Sequence, residues 1–130
     1  MTDIPVSRYM TPHPHSIGRG QTLATAHEVM RKFGVRHLPV LEGGQIVGLV
    51  SLRDLHLIET LPDVDQAKLS VEEAMTPDPL TVTPDAPLGK LAREMAGHKY
   101  GAAVVVEGPR VVGVFTTVDA LRALADALGG

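Results

Sequence analysis

The chain has 130 residues, no cysteine and a formal net charge of −3. A chain of this length buries roughly two-thirds of its unfolded surface, so a core forms without disulfides, and the missing cysteine excludes thiol chemistry. The slightly acidic balance excludes the basic surface that a nucleic-acid partner requires.

No apolar run approaches the roughly 20 residues that span a bilayer. The first residues also lack the basic and then apolar order of a secretory leader. We therefore expect a cytoplasmic protein that contacts neither nucleic acid nor membrane. Aromatic residues make up only 3% of the chain, which predicts an aliphatic core of the kind found in small α/β domains.

The first half of the chain alternates helical and extended patterns. These predict a helix, a strand, a helix, a β-hairpin and a helix over 6–10, 15–17, 22–33, 37–51 and 52–61. Pro12 and Pro14 end the first helix, and Thr22 and Gly34 cap the two ends of the second. Pro39 cannot donate a ladder hydrogen bond, which predicts an open side on its strand.

The second half of the chain repeats this order. Its elements are predicted over 71–75, 80–82, 87–96, 102–116 and 118–128. Asp85 is the predicted N-cap of the long middle helix. We predict a first repeat over 1–61, a polar linker over 62–70 and a second repeat over 71–130.

One motif occurs at the same place in both repeats. Residues 48–54 and 113–119 both have a Gly, two apolar residues, a hydroxyl residue, two spacers and an Asp. The copies lie 65 residues apart, and the same offset relates two Met-Thr-Pro segments, 10–12 and 75–77. A constant offset without insertions indicates a tandem repeat. Because neither unit can cover its sheet and helices alone, we expect the two sheets to pack together and to leave clefts.

The hydroxyl and the acid of each motif have two interpretations. Ser51 with Asp54, and Thr116 with Asp119, have the spacing of a capping box at a helix start. A helix start beside a carboxylate also suits a phosphorylated sugar, because amides and the hydroxyl hold phosphate while the acid accepts from ribose. The doubled occurrence directly after strands favours the ligand interpretation.

The doubled motif, with its matching Met-Thr-Pro openings, resembles the tandem cystathionine-β-synthase (CBS) domain pair, or Bateman module, over residues 6–128. The resemblance implies an α/β (α+β-like) fold of two β-α-β-β-α repeats, packed sheet to sheet with pseudo-twofold symmetry. It implies that an adenosine-containing ligand binds in the clefts between the repeats, and that two chains form a homodimer. We expect a stand-alone, non-catalytic regulatory module that senses AMP, ADP or ATP, needs no obligatory cofactor and acts on a separate, unidentified effector protein.

The resemblance assigns a main ligand site to the first motif. The matching residues are Arg36, His37, Ser51, Arg53, Asp54, Thr81 and Val82. Asp54 matches the ribose-binding acid, and Ser51 matches the hydroxyl beside the phosphate. Arg36 and His37 match positions of phosphate-binding basic residues, and Arg53 adds a cation. The last two residues match an extended segment that holds adenine.

A second, weaker site follows from the same matching. Its residues are Ile17, Tyr100, Ala102, Thr116 and Asp119. The positions equivalent to the three basic residues of the main site are Gly101, Ala102 and Val118, which cannot pair with a phosphate. We therefore expect this site to be weak, empty or suited to a less charged ligand, with Tyr100 as an aromatic face for adenine.

Other residues have plainer alternatives. Arg36 and His37 also suit a solvated strand edge. His13 and His15 form an H-x-H pattern that invites a metal, but further ligands are not visible nearby, so we predict no metal site. The equivalent methionines of the repeats suit core filling, and the two in the Met-Thr-Pro segments also suit a cleft mouth or a dimer seam.

Two rival functions remain beside the nucleotide sensor. One is a ligand-independent dimeric scaffold, in which the apolar helices over 6–10 and 118–128 form the contact and the motifs are only helix caps. The other is an enzyme, which the sequence disfavours because it has no cysteine nucleophile, metal set or phosphate loop.

Overall fold

The computed structural model describes residues 3–129. Within this range the chain forms a mixed α/β fold of eight strands and four α-helices. The strands are β1 (Thr11–Pro12), β2 (Ile17–Gly18), β3 (His37–Glu42), β4 (Gln45–Ser51), β5 (Thr76–Pro77), β6 (Thr81–Val82), β7 (Ala102–Glu107) and β8 (Arg110–Thr116). The helices are α1 (Leu23–Phe33), α2 (Leu52–Ile58), α3 (Leu88–His98) and α4 (Thr117–Ala127). Single 3₁₀ turns, Val6–Arg8 and Val71–Glu73, replace the two short helices expected there.

The strands form two four-stranded sheets of matching design. Their orders are β2-β3-β4-β5 and β1-β8-β7-β6. In each sheet the long hairpin is antiparallel, and a helix connects a short strand to its parallel neighbour. The predicted mixed α/β class and the doubled order of elements are therefore confirmed.

The Met-Thr-Pro segments form strands that the sequence did not predict. β5 pairs with β4, and β1 pairs with β8, which lies about 100 residues later in the chain. Both are edge strands, where proline is tolerated because one side of the strand needs no donor.

The chain accordingly divides into two compact units that differ from the sequence repeats. Residues 15–79 form the central unit, and residues 3–14 with 80–129 form the terminal unit. Each unit contains the opening segment of the other repeat. The 3₁₀ turn and edge strand that open the second repeat belong to the central unit, and those that open the first repeat belong to the terminal unit. The boundaries 1–61, 62–70 and 71–130 stay a prediction about the sequence repeats. The compact units are defined instead by which residues contact one another in the fold.

Each unit has its own apolar core. The core of the central unit consists of Ile17, Leu23, Ala26, Met30, Leu38, Val40, Val50, Leu55 and Val71. The core of the terminal unit consists of Val6, Leu88, Leu91, Met95, Ala103, Val105 and Phe115. The expected aliphatic character is confirmed for the first core, and the second adds one fully buried aromatic ring.

Helix α1 forms because its apolar residues share one face and both of its ends are capped. The Thr22 hydroxyl accepts from the Thr25 amide at 3.2 Å, and Gly34 ends the helix in the left-handed region at φ 64°. In α3 the same left-handed position is occupied by Lys99 at φ 59°.

The predicted N-cap Asp85 is wrong. Helix α3 begins at Leu88 with Pro87 in the cap position, and the Asp85 carboxylate instead accepts from the Thr83 hydroxyl at 2.6 Å. The Leu88 amide donates to the Ile4 carbonyl at 2.7 Å. A backbone contact with a distant segment therefore replaces the side-chain cap, which local sequence cannot indicate.

Pro39 lies in an inner strand, yet the expected open side is present. Its partner in β4 is Leu49, whereas β2 begins its pairing with β3 only at Val40. The short β2 therefore leaves the proline without a partner on that side.

The glycine that opens each motif lies against the methionine of a Met-Thr-Pro segment. A Cβ on Gly48 would stand 3.0 Å from Met75 Cγ and 3.1 Å from the Thr76 carbonyl oxygen. A Cβ on Gly113 would meet Met10 and the following carbonyl in the same way. Both methionines are partly buried and pack against the core of their unit, while Met30 and Met95 lie within the cores. Core filling is therefore confirmed for Met30 and Met95, and a cleft mouth or dimer seam stays a prediction for Met10 and Met75.

Candidate functional site

In the central unit the motif forms the junction between β4 and α2. Ser51 is the N-cap in extended conformation, and its hydroxyl accepts from the Asp54 amide at 3.0 Å. The Asp54 carboxylate accepts from the Ser51 amide at 2.8 Å through Oδ2. The predicted capping box is therefore confirmed. Among residues 3–129, nothing donates to the other oxygen of Asp54, and this side chain is half-buried.

In the terminal unit the equivalent junction lies between β8 and α4. The Thr116 amide donates to Asp119 Oδ2 at 2.9 Å, and the Asp119 amide donates to the Thr116 hydroxyl at 3.4 Å. Here the second oxygen is occupied. Arg122 donates to Asp119 Oδ1 at 2.5 Å, and the Thr11 hydroxyl lies 3.4 Å from the same atom. Asp119 is only 2% exposed.

The two acids thus differ in availability although their motifs match. The residue three positions after Asp54 is Leu57, which carries no donor, whereas the residue three positions after Asp119 is Arg122. One oxygen of Asp54 has no donor among residues 3–129, whereas both oxygens of Asp119 accept hydrogen bonds from within its own unit.

Five residues predicted for the main site lie at one corner of the central unit. The Leu52 amide donates to the carbonyl of Arg36 at 2.9 Å, which ties the start of β3 to the start of α2. His37 lies opposite Ser51 in the β3–β4 ladder. Arg53 and Asp54 occupy the first turn of α2. The corner therefore combines two exposed arginines, a histidine, a hydroxyl and a carboxylate.

The surroundings of His37 favour its neutral form. Burial lowers the pKa of its imidazole below 6.5, the nearby Asp54 carboxylate partly opposes this, and Arg36 adds to it. The positive charge available to an anionic ligand at this corner therefore comes from the arginines, and His37 offers a neutral ring nitrogen.

The remaining residues of the predicted sites are distributed as follows. Thr81 and Val82 form β6 of the terminal unit, Thr81 exposed and Val82 against the core. Ile17 belongs to the central unit, where it is 5% exposed within the core. Ala102 is buried and lies opposite Thr116 in the β7–β8 ladder. Tyr100 is 45% exposed and stacks on His98 at 5.1 Å. Ligand contacts of these residues stay predictions.

Two residues that contact Asp119 were missed from the sequence. Arg122 follows it by one helical turn, a spacing that does suggest an ion pair. Thr11 lies 108 residues away, and only the pairing of β1 with β8 brings it to the carboxylate.

His13 and His15, the residues of the H-x-H pattern, do not belong to a set of metal ligands among residues 3–129. The ring of His15 stacks on Phe33 with centroids 3.5 Å apart. Among residues 3–129, no group of three His, Asp or Glu side chains is placed to hold a metal ion. The described helices also include none that is long and apolar enough to cross a membrane.

Two similar α/β units, each with a capping box where its hairpin turns into a helix, define a tandem pair of small domains. The sequence profile of the CBS domain matches residues 6–57 and 71–126, most of the chain. The protein belongs to the CBS domain family.

Solved structures of the same family have the same fold. AcuB of Vibrio cholerae is 31% identical with a TM-score of 0.84, and the match covers 98% of this chain and 95% of that one. CBSX2 of Arabidopsis thaliana is 26% identical with a TM-score of 0.81 and 99% coverage of both chains. The CBS pair of MJ0100 is 25% identical with a TM-score of 0.83, covering 93% and 99%. CBSX2 has been crystallised with AMP, and the MJ0100 pair with 5′-methylthioadenosine and S-adenosylmethionine.

Curated relatives are mostly much longer proteins. A homoserine O-acetyltransferase of Methanococcoides burtonii is 34% identical over 125 residues, which are 94% of this chain and 24% of the relative. An A-adding tRNA nucleotidyltransferase of Geobacter sulfurreducens is 30% identical over 101 residues, 78% of this chain and 11% of the relative. This chain thus spans less than a quarter of these enzymes. The CBS domain-containing protein YhcV of Bacillus subtilis is 26% identical over 85% of this chain and 78% of its own.

Proposed function

We propose that this protein is a non-catalytic regulatory module that binds an adenine nucleotide at the Ser51–Asp54 corner of the central unit. The observation that carries the proposal is the carboxylate of Asp54, which is half-buried and keeps one oxygen without a donor among the described residues. The AMP, 5′-methylthioadenosine and S-adenosylmethionine bound by relatives support an adenosine-containing ligand.

The ribose and the phosphates of an adenine nucleotide have matching groups at this corner. Ribose hydroxyls donate to the free oxygen of Asp54, a charge-assisted bond that a neutral acceptor cannot match. The exposed guanidinium groups of Arg36 and Arg53 pair with phosphates, and the Ser51 hydroxyl donates to them. The group that adenine contacts stays a prediction from the sequence, which assigns Thr81 and Val82; these two residues belong to the terminal unit. AMP, ADP and ATP all fit this description.

The output of the module is a change in conformation that a separate effector protein detects. A ligand shifts a conformational equilibrium only by its difference in affinity for the two states. The effector, a homodimeric assembly and a cytoplasmic location are predictions from the sequence that accompany this proposal.

Isothermal titration of AMP, ADP, ATP and S-adenosylmethionine into the purified protein tests the proposal. We expect adenine nucleotides to bind, and Asp54→Ala to weaken them at least tenfold, because a hydrogen bond to a charged group contributes about 1.5–3 kcal/mol. Glu28→Ala is the matched control, since it removes an exposed acid from α1 of the same unit. Absence of heat with all four ligands, or equal affinity in the Asp54 variant, would contradict the proposal.

A dimeric scaffold is the second candidate. Helix α4 and the residue after it carry a row of exposed apolar side chains: Val118, Leu121, Leu124 and Leu128. Such a row suits contact with another surface. A dimer in sedimentation equilibrium that forms equally without ligand, from chains that give no heat in the titration, would favour the scaffold over the sensor.

A further inference from the structure

We infer that Arg122 closes a latent nucleoside site in the terminal unit, so that the chain binds one adenosine ligand instead of two. The inference deepens the proposed function, because it assumes that a free carboxylate at this motif is what selects ribose. It rests on the contacts of Asp119, which differ from those of Asp54 although the two motifs share their pattern.

The carboxylate of Asp119 is saturated by its own unit. The backbone amide and the hydroxyl of Thr116 lie 2.9 and 3.3 Å from Oδ2. Arg122 donates to Oδ1 at 2.5 Å, and the hydroxyl of Thr11 lies 3.4 Å from the same oxygen. A ribose hydroxyl would have to displace the guanidinium from the carboxylate. This exchange is unfavourable, because a neutral hydroxyl forms a weaker hydrogen bond to a carboxylate than a charged donor does.

The guanidinium of Arg122 is held in place by a second contact. It also donates to the Tyr9 carbonyl at 3.2 Å, and the Tyr9 hydroxyl donates to Asp126 at 2.5 Å on the next turn of α4. These bonds fasten the segment before β1 to α4. They orient the arginine toward the carboxylate, so its position does not depend on the ion pair alone.

Removal of this arginine leaves room beside the carboxylate. The Arg122 side chain is 59% exposed, so it is no part of the apolar core. It and Thr11 also line a cavity of about 570 Å³ in the terminal unit, together with Pro12 and Asp126. The side chains of Arg122 and Thr11 therefore lie between Asp119 and this cavity.

The central unit shows what the motif is like without the arginine. The residue equivalent to Arg122 is Leu57, and that equivalent to Thr11 is Thr76. With a leucine at this position, Asp54 keeps an unoccupied oxygen among the described residues. One side chain thus distinguishes an available acid from an occupied one.

The ligand class of the latent site follows from its charge. The positions equivalent to Arg36, His37 and Arg53 are Gly101, Ala102 and Val118, which offer no cation to a phosphate. Arg8 and Asp126 both line the cavity, so their charges balance once Arg122 is removed. An opened terminal site therefore prefers an uncharged nucleoside such as adenosine to ATP, in contrast to the central site.

Reciprocal substitution tests the inference. Adenosine and AMP are titrated into the wild-type protein, Arg122→Leu, Leu57→Arg and the double variant. We expect one site in the wild-type chain and two in Arg122→Leu, with the added site preferring adenosine and lost when Asp119→Ala is combined with it. Leu57→Arg should weaken the central site at least tenfold, and the double variant should keep only the terminal one. Arg110→Leu is the matched control, since it removes a 76% exposed arginine from the same unit.

The possible outcomes distinguish failure of the inference about Arg122 from failure of the proposed function. One site in both wild type and Arg122→Leu overturns the inference and leaves the proposed function intact, as do two sites in the wild type of which Asp119→Ala removes one. No binding to wild type, with one site gained in Arg122→Leu, supports closure of the terminal site by Arg122 and contradicts the proposed central site. No binding to any variant overturns both. If thermal unfolding shows that Arg122→Leu does not fold, Arg122→Gln serves in the same titration.

Discussion

At the scale of single residues, the meaning of the motif depends on a neighbour outside it. Ser51 with Asp54, and Thr116 with Asp119, form the same capping box. A capping box uses only one oxygen of the carboxylate in each copy. Whether the other oxygen is available for binding is decided one helical turn later, by a leucine in one copy and an arginine in the other.

Ionisation of His37 should make the protein less stable in mild acid. Its pKa is lowered in the folded state, mainly by burial, while the unfolded chain titrates near 6.5. Its contribution to stability is therefore present above pH 6.5 and is lost as the pH falls through the folded pKa. We expect the urea midpoint of the wild-type protein to fall more between pH 7.5 and 5.5 than that of His37→Gln. Equal shifts in the two proteins would show that this histidine is not the group responsible.

The sequence predicted the capping box at the central corner, but it did not predict the contacts that occupy Asp119 in the terminal unit. Asp54 and Ser51 were predictable because the motif is local and doubled. The spacing of Arg122 suggests its ion pair with Asp119 but not that the carboxylate is buried there, because an Asp and an Arg three residues apart on an exposed helix usually form a weak surface pair. The contact with Thr11 depends on a strand pairing across 108 residues, which no local pattern encodes.

At the scale of elements, periodicity explains what could be predicted. Helix α1 and both hairpins have apolar residues at a regular period, so their positions followed from the sequence. The strands β1 and β5 have two residues each, and the second residue of each is proline, which disfavours the prediction of a strand. The structure shows that each of them pairs with a long strand at the motif glycine, Gly113 or Gly48.

Gly48→Ala should destabilise the protein by about 1–2 kcal/mol, because the new Cβ would press on the backbone carbonyl of Thr76 as well as on the flexible Met75. The measurement is the free energy of urea unfolding. Gly89→Ala is the control: its Cβ meets nothing within 4 Å, and alanine in a helix is favoured by roughly 0.5–1 kcal/mol. A loss in Gly89→Ala equal to that in Gly48→Ala would contradict the role given to the methionine and the edge strand.

At the scale of the whole molecule, the apolar cores follow the compact units and not the sequence repeats. Val6 belongs to the first repeat by sequence but is fully buried in the core of the terminal unit, against residues beyond 80. Val71 does the same for the central unit. The repeat pattern predicted two similar halves correctly, but it gave no sign of this exchange, since equivalent segments have equivalent sequences.

Val6→Ala should therefore loosen the terminal unit selectively. Loss of two buried methyl groups costs about 2 kcal/mol. We expect hydrogen exchange, followed by mass spectrometry of peptides, to become faster in α3 and β7 and to stay unchanged in α1 and β3. Val71→Ala should give the opposite pattern. Faster exchange in α1 but not in α3 for the Val6 variant would contradict the division into units.

The exchanged segments also set an order in which the chain can fold as it is synthesised. Residues 15–79 are contiguous, so every strand of the central sheet has left the ribosome once Pro79 emerges. Thr11 must wait for its partner Val114, more than 100 residues later. Since domains generally fold as units during synthesis, the nascent chain passes through a stage with a complete central unit and an unpaired N-terminal segment. The segment around Thr11 is thus synthesised before the central unit but pairs in its sheet only after Val114 has been made.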